Sequence, residues 1–356
     1  MDSADLQSGG RNYGIDLLRI VLMFLITLVH VLKRGGILEA SMHAPGPAFE
    51  VAWLMNAGAL FSMDCFGLIS GYVMSRSRYR LSRIFSLWLQ VFCYSIGIEL
   101  VFHFLGFPVS AVEFVKSATP ILSKQYWYAT AYFGLFLLMP FVNILLRHLS
   151  QKGLTLLCGI CLTLFSLVTP IWHEPFSTNR GFSILWLMVL YVLGWYIGVC
   201  GSKLKIGNKA LYALTAAGFL IIYLPIVTVS STVFHSSVSP PVLLMAVCVL
   251  ILASRAKPRG RLVRAVRALS PAAFGIYLIH LHPLIKEHVL LNRFAPLARL
   301  NPSLMALGAI GISLAICALC LMIDSVRIAA FKWFRVKRLC EWIDRKLTPF
   351  YTAIEA

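Results

Sequence analysis

Apolar residues in this chain come in long runs punctuated by Gly and Pro, each run near the roughly 20 residues a helix needs to cross hydrocarbon. Ten such spans are predicted, at 14–33, 51–75, 83–106, 126–147, 153–172, 182–200, 208–229, 239–254, 270–291 and 303–326. Only short loops join them, so the simplest architecture is an all-α bundle of about ten transmembrane helices. That membrane domain covers 14–335, with tails at 1–13 and 336–356.

The polar positions fix an orientation. With the N-terminus cytoplasmic, the inside segments carry 23 Lys and Arg residues and the outside segments 8, and Arg19 within the first span completes the 32. Short loops retain Lys and Arg on the cytoplasmic side, so this division predicts both termini inside. The acidic start MDSADLQSGG has neither the positive segment nor the small-residue cleavage site of a signal peptide, and the first span is expected to stay as an anchor.

Composition agrees with the pattern: hydrophobic residues are 59% of the chain, charged residues 13%, and the mean hydropathy is +0.80. The formal charge of +18 lies at the ends of apolar runs, where anionic lipid head groups favour it. With no basic domain outside the membrane, nucleic-acid binding is not expected. Cys158 and Cys161, like Cys317 and Cys320, have CxxC spacing but fall within apolar helices without neighbouring His ligands, so neither a metal nor a disulfide is expected.

Arg19 and His30 stand eleven residues apart in the first span, about three helical turns, and so leave the helix on one face. Arg in mid-bilayer costs at least about 2.5 kcal/mol on insertion scales, so that face should look into protein or a water-filled cavity. An ion pair from Arg19 to Asp16, one turn earlier, is the simpler structural alternative. Further intramembrane polar groups are Asp64, Glu99, His103, His280, His282 and Asp324. Glu99 and His103, four residues apart, can pair on one helix face, and Asp64 or Glu99 could orient His30.

A basic residue, ten others and a histidine in the first helix resemble the signature of the acyltransferase-3 family of multi-span membrane acyltransferases. The likeness continues through Phe66-Gly67-Leu68-Ile69-Ser70-Gly71-Tyr72, the RxxR pattern at Arg80 and Arg83, Trp127-Tyr128, and Phe274-Gly275-Ile276-Tyr277-Leu278-Ile279-His280. It thus extends over nearly the whole chain. Asp64-Cys65-Phe66 replaces a more aromatic stretch of the family pattern.

The resemblance implies transfer of an acyl group, usually acetyl from acetyl-CoA, to a hydroxyl of a cell-surface or lipid-linked carbohydrate, at a bacterial cytoplasmic membrane. A hydroxyl attacking a thioester needs a base, and imidazole titrates nearest neutrality, which makes His30 the candidate base. Arg19 would hold the donor arm or polarise the thioester carbonyl. Arg80 and Arg83 suit the phosphates of CoA through bidentate bonds, whereas Arg76 and Arg78 are explained as well by topology alone. Trp127, Tyr128 and His280, with Asp64 and Glu99, are the candidates for binding or orienting the acceptor. A proton-coupled carrier is the alternative, because buried Arg, His, Asp and Glu also describe a transport pathway.

Overall fold

The computed structural model describes residues 11–43, 46–169 and 176–355, and among these there is helix and no strand. In chain order the helices are α1 (Tyr13–Lys33), α2 (Ile37–Met42), α3 (Pro47–Ala59), α4 (Ser62–Met74), α5 (Ser82–Phe104), α6 (Ala111–Ala118), α7 (Trp127–His148) and α8 (Gln151–Leu162). They continue as α9 (Ile184–Cys200), α10 (Asn208–Val229), α11 (Pro240–Arg255), α12 (Arg261–Leu269), α13 (Ala273–His280), α14 (Pro283–Ile285), α15 (Pro302–Trp333) and α16 (Val336–Glu355). Seven helical stretches among the described residues are long and apolar enough to span a bilayer: α1, α3 with α4, α5, α7, α10, α12 with α13, and α15. Three more are apolar but shorter, at Gln151–Leu167, Ile184–Cys200 and Pro240–Arg255. The chain is a multi-pass helical membrane protein.

Helix α9 is apolar all round and largely enclosed by its neighbours, as such a helix must be. Trp186, Leu187, Leu190 and Tyr191 are fully buried, and the Tyr191 hydroxyl donates to Asn143 Oδ1 on α7. Against α9 lies α4, and here the two backbones touch. A Cβ on Gly71 would stand 1.9 Å from the carbonyl oxygen of Tyr191, and one on Gly194 would stand 2.0 Å from that of Leu68. Gly67 and Gly71 on α4 face Leu190 and Tyr191 on α9, and Gly194 and Gly198 on α9 face Leu68 and Ser75 on α4 and its end, the small-xxx-small spacing that lets helices approach closely within membranes. The Gly71 of the sequence motif is therefore a packing residue.

At its start α1 is capped by Asn12, whose side-chain oxygen accepts from the amides of Gly14 and Ile15 while its amide nitrogen donates to the Ser254 carbonyl on α11 at 2.9 Å. The second predicted span begins earlier than expected, at Pro47, and is divided between α3 and α4. At the break the Ser62 hydroxyl donates to the Ala59 carbonyl, a local bond that competes with the helical ladder.

The ninth predicted span, 270–291, is displaced. Its helix runs from Arg261 to His280, beginning in the stretch expected to join the spans 239–254 and 270–291, where the basic α12 turns Arg267 onto the Tyr13 hydroxyl at 2.6 Å. It stops because Pro283 disfavours a helical conformation in the residue before it, and His282 has ψ 135°. Of the predicted span 153–172, the described helix ends in a π-turn at Thr163–Leu167, and 170–172 lie outside the described residues. Composition concealed α6, which opens with a capping box in which the amide and hydroxyl of Ser110 hold the Glu113 carboxyl below its usual range. The expected C-terminal tail is the helix α16, and it docks on the start of α5: Asp344 accepts from the Ser82 amide at 3.0 Å and the Ser82 hydroxyl at 2.6 Å.

The α4–α9 crossing yields a paired test. Gly194→Leu drives a side chain into the Leu68 carbonyl, and we expect loss of at least about 1–3 kcal/mol or failure to fold. Gly97→Ala on α5, where a Cβ meets nothing within 4 Å, should be neutral or stabilising. Thermal unfolding of the two variants in detergent, beside wild type, measures both.

Candidate active site

One turn from the end of α1, the half-buried His30 meets His280, the last residue of α13 and only 1% exposed. His30 Nδ1 lies 3.1 Å from His280 Nε2, and the ring centroids are 5.2 Å apart. His280 Nδ1 in turn lies 2.5 Å from the carbonyl oxygen of Ile276, one turn back on α13. A carbonyl can only accept, so Nδ1 of His280 carries hydrogen and, in the neutral ring, its Nε2 is bare. The hydrogen between the two rings must then sit on His30 Nδ1, leaving His30 Nε2 as the unprotonated nitrogen.

That ring borders a mostly apolar cavity of about 130 Å³, whose wall also includes Lys33, Trp127, Tyr128, Phe182 and Tyr277. Tyr277 links the two elements that face it, because its hydroxyl accepts the Tyr128 amide at 3.3 Å, an N–H at the start of α7 with no partner inside the helix. Trp127 packs edge-on against Phe182 at 4.7 Å, and Tyr128 stacks on Tyr132 at 6.2 Å. Of the residues singled out in the sequence, His30, His280, Trp127 and Tyr128 thus come together at one place. Lys33 was missed, although one turn beyond His30 it shares that face. Tyr277, inside a quoted motif, was overlooked because its role depends on a contact with α7.

Neither carboxylate orients His30. Asp64 is fully buried but accepts from the Trp186 indole at 3.0 Å on the α9 side of its helix. Glu99 belongs to a separate buried network, accepting from Ser117 at 2.9 Å and standing 3.7 Å from His282 Nε2. His282 Nε2 also lies 3.1 Å from the Ser95 carbonyl and 3.3 Å from Gln125 Nε2, and the Ser95 hydroxyl donates to Gln125 Oε1. The expected Glu99–His103 pair does not form; His103 packs instead against Phe114, with ring centroids 5.8 Å apart. The partners of Glu99 come from other segments, α6 and the break at His282, which spacing along one helix could not reveal.

Arg19 is at the other end of α1, about 16 Å from His30 along the axis at 1.5 Å per residue. It takes the ion-paired alternative, with Nη1 2.9 Å from Asp16 Oδ1, while Arg11 Nε holds the other oxygen at 2.5 Å. Arg80 and Arg83 are exposed at this same end, beside the Asp344 cap of α5, and Arg83 Nη1 approaches the Met74 sulfur at 3.7 Å. Arg76 is structural: its guanidinium donates to the Gly198 carbonyl at 3.0 and 3.3 Å and lies over the Tyr72 ring at 4.9 Å. Between the two ends, Asp324 is fully buried, held by Nε and Nη2 of Arg327, each at 2.8 Å, and by the Tyr94 hydroxyl at 2.6 Å. Its carboxylate packs against Gly275, where a Cβ would fall 2.3 Å from Oδ1.

A multi-span helical bundle with a buried histidine pair opening on an apolar cavity defines the class of protein. Its family follows from the sequence: the acyltransferase-3 family, described as an acyltransferase domain, matches residues 12–322, and the chain belongs to it. No curated protein and no solved structure matches the chain.

The contrast among the arginines is testable. We expect Arg76→Ala to cost about 1 kcal/mol, from lost hydrogen bonds and ring contact. Arg80→Ala should stay within about 0.5 kcal/mol of wild type. Thermal unfolding in detergent distinguishes them, and equal losses would contradict the assignment of Arg76 alone to packing.

Proposed function

We propose that this chain is a membrane O-acyltransferase that moves an acyl group, most simply acetyl, from acyl-CoA to a hydroxyl of a cell-surface or lipid-linked carbohydrate. The observation that carries this reading is the 3.1 Å contact between His30 Nδ1 and His280 Nε2 at the cavity wall, which leaves one basic nitrogen available. His30 Nε2 takes the proton of the acceptor hydroxyl as its oxygen attacks the thioester carbonyl carbon. The tetrahedral adduct collapses, the C–S bond breaks, and the departing CoA thiolate recovers the proton from His30. During the step, His280 accepts the Nδ1–H of the imidazolium and holds the ring in place, a positioning role that general-base catalysis requires.

The donor is assigned to the Tyr13 end of α1, the cytoplasmic side if the N-terminus is inside, where Arg80 and Arg83 present exposed guanidinium forks suited to phosphate. Arg19, about three turns from His30, fits a role in holding the donor arm rather than in polarising a carbonyl at the histidine. Trp127 and Tyr128 offer ring faces to a sugar at the opposite end. The site in this reading is that of a bacterial cytoplasmic-membrane enzyme whose acceptor arrives at the membrane surface or from the lipid phase.

Transfer of label from radiolabelled acetyl-CoA to a membrane glycan fraction tests the proposal with proteins inserted in equal amount. We expect His30→Ala to lower transfer by about 10²-fold or more. His280→Gln, which can still accept the Nδ1–H, should retain more activity than His280→Leu, and the two should differ in kcat rather than in KM. Equal transfer by wild type and His30→Ala would remove His30 as the base, and equal activity of the two His280 variants would remove the positioning role.

A further inference from the structure

The mouth of the His30 cavity has a charge that transfer to a neutral hydroxyl does not require. Lys33 follows His30 by one helical turn and lines the same cavity, with its side chain exposed at the opening. Arg34 and Arg180 both stand within electrostatic range of Lys33. Among the described residues, none of these three cations makes an ion pair with a carboxylate. The ion pairs at Arg11, Arg19 and Arg327, by contrast, are all made within the bundle.

The chain keeps Arg180 there at a cost. Ser177, Asn179 and Arg180 have φ of 50°, 51° and 54°, a left-handed backbone that costs an ordinary residue about 1 kcal/mol or more. Gly181 follows at φ 99°, and Phe182 lines the cavity against Trp127. The Arg180 carbonyl accepts from the Ser236 hydroxyl at 3.4 Å, which ties this loop to the segment carrying His235 and Ser237. His235 is itself held, its Nε2 2.6 Å from Asn56 Nδ2 and its ring edge-on to Trp53 at 5.1 Å. Burial first, then the charges of Lys33 and Arg180, push His235 down to about 3, so it stays neutral and adds no further cation.

Like charges gathered at the mouth of a low-dielectric cleft repel one another and focus a field that concentrates ions of opposite sign. A guanidinium beside an ammonium matches a carboxylate or a phosphate in both charge and hydrogen-bond geometry. We propose that the acceptor entering at the Lys33 end carries an anionic group, a carboxylate or a phosphate, held between Lys33 and Arg180 while a neighbouring hydroxyl meets His30 Nε2. The anionic group then sits about one helical turn, roughly 5 Å, from the reacting hydroxyl. The inference rests on the acyltransferase reading and narrows its acceptor to acidic or phosphorylated glycans.

The test uses the full chain in nanodiscs at low salt. Binding is measured for p-nitrophenyl β-D-glucoside, for the matching β-D-glucuronide and for glucose 6-phosphate, with acetyl-CoA binding and CoA release followed on the same samples. We expect at least one of the anionic sugars to bind ten-fold or more tightly than the glucoside. Arg180→Gln and Lys33→Gln should each remove most of that preference while acetyl-CoA affinity is unchanged. A stronger glucuronide points to a carboxylate, and a stronger sugar phosphate to a phosphate. Equal or absent binding of all three sugars, a preference that survives both substitutions, or a loss of acetyl-CoA affinity that assigns this mouth to the donor would each overturn the proposal. Charge preference without CoA release refutes only the transferase reading, and CoA release without charge preference refutes only the anionic acceptor.

Discussion

The hydrogen bond from His280 Nδ1 to the Ile276 carbonyl determines what the candidate site can do. Inside a bundle with little water, a buried ring nitrogen must find a partner, and a carbonyl one turn back on the same helix is the nearest. Because that partner only accepts, it fixes the tautomer of His280. His280 fixes that of His30 through the 3.1 Å contact. A neutral imidazole in the place a carboxylate often occupies behind a basic histidine avoids burying a full negative charge, whose desolvation would cost several kcal/mol. The buried carboxylates of this protein are accordingly elsewhere: Asp64 on the Trp186 indole, Glu99 beside Ser117 and His282, Asp324 clasped by Arg327.

Helix packing transmits this local geometry to the rest of the chain. The glycine-lined contact of α4 with α9 sets how deeply α4 lies in the bundle, and thereby where Ser62, Met63 and Phe66 on its other side meet the His30 cavity. On the opposite wall, Gly275 lets the Asp324 carboxylate press against α13, five residues before His280. Two of the motifs through which the family resemblance is visible, around Gly71 and Gly275, therefore record how the helices bearing the chemistry approach their neighbours.

The sequence made legible much of what depends on one helix at a time, though not the partners of Glu99 and His103. The apolar runs follow from a 3.6-residue period, and local charge offered the ion pair of Arg19 with Asp16 as the alternative to its role at the site, which is the contact Arg19 makes. Contacts between helices were not legible. The partner of His30 comes from α13, and the Glu99 partners come from α6 and from the break at His282, so the assignment of either carboxylate to His30 failed. The displaced ninth span shows a different limit. Basic residues in α12 made its first turns read as a loop, and the apolar residues after Pro283, themselves helical to Leu290, made the run read as one span across the break at His282. Small-xxx-small spacing in α4 and α9 was present in the sequence but does not say which helix is the partner.

Net charge alone would treat every arginine in this chain alike, and for topology it suffices, since retaining a loop on one side of a membrane asks only for a cation. Partners distinguish them. At the Tyr13 end, Arg19 is taken up by Asp16, Arg76 by the Gly198 carbonyl and the Tyr72 face, and Arg267 by the Tyr13 hydroxyl, and between the ends Arg327 is taken up by Asp324. These contacts hold helix ends together. At the other end, Lys33 lines the cavity, and Arg180, within electrostatic range of it, stands in a loop whose left-handed backbone costs energy to maintain. A positive residue there that served topology alone could sit anywhere along the loop. What needs explanation is its convergence with Lys33 on the opening above His30, and chemistry at that opening accounts for it where topology does not.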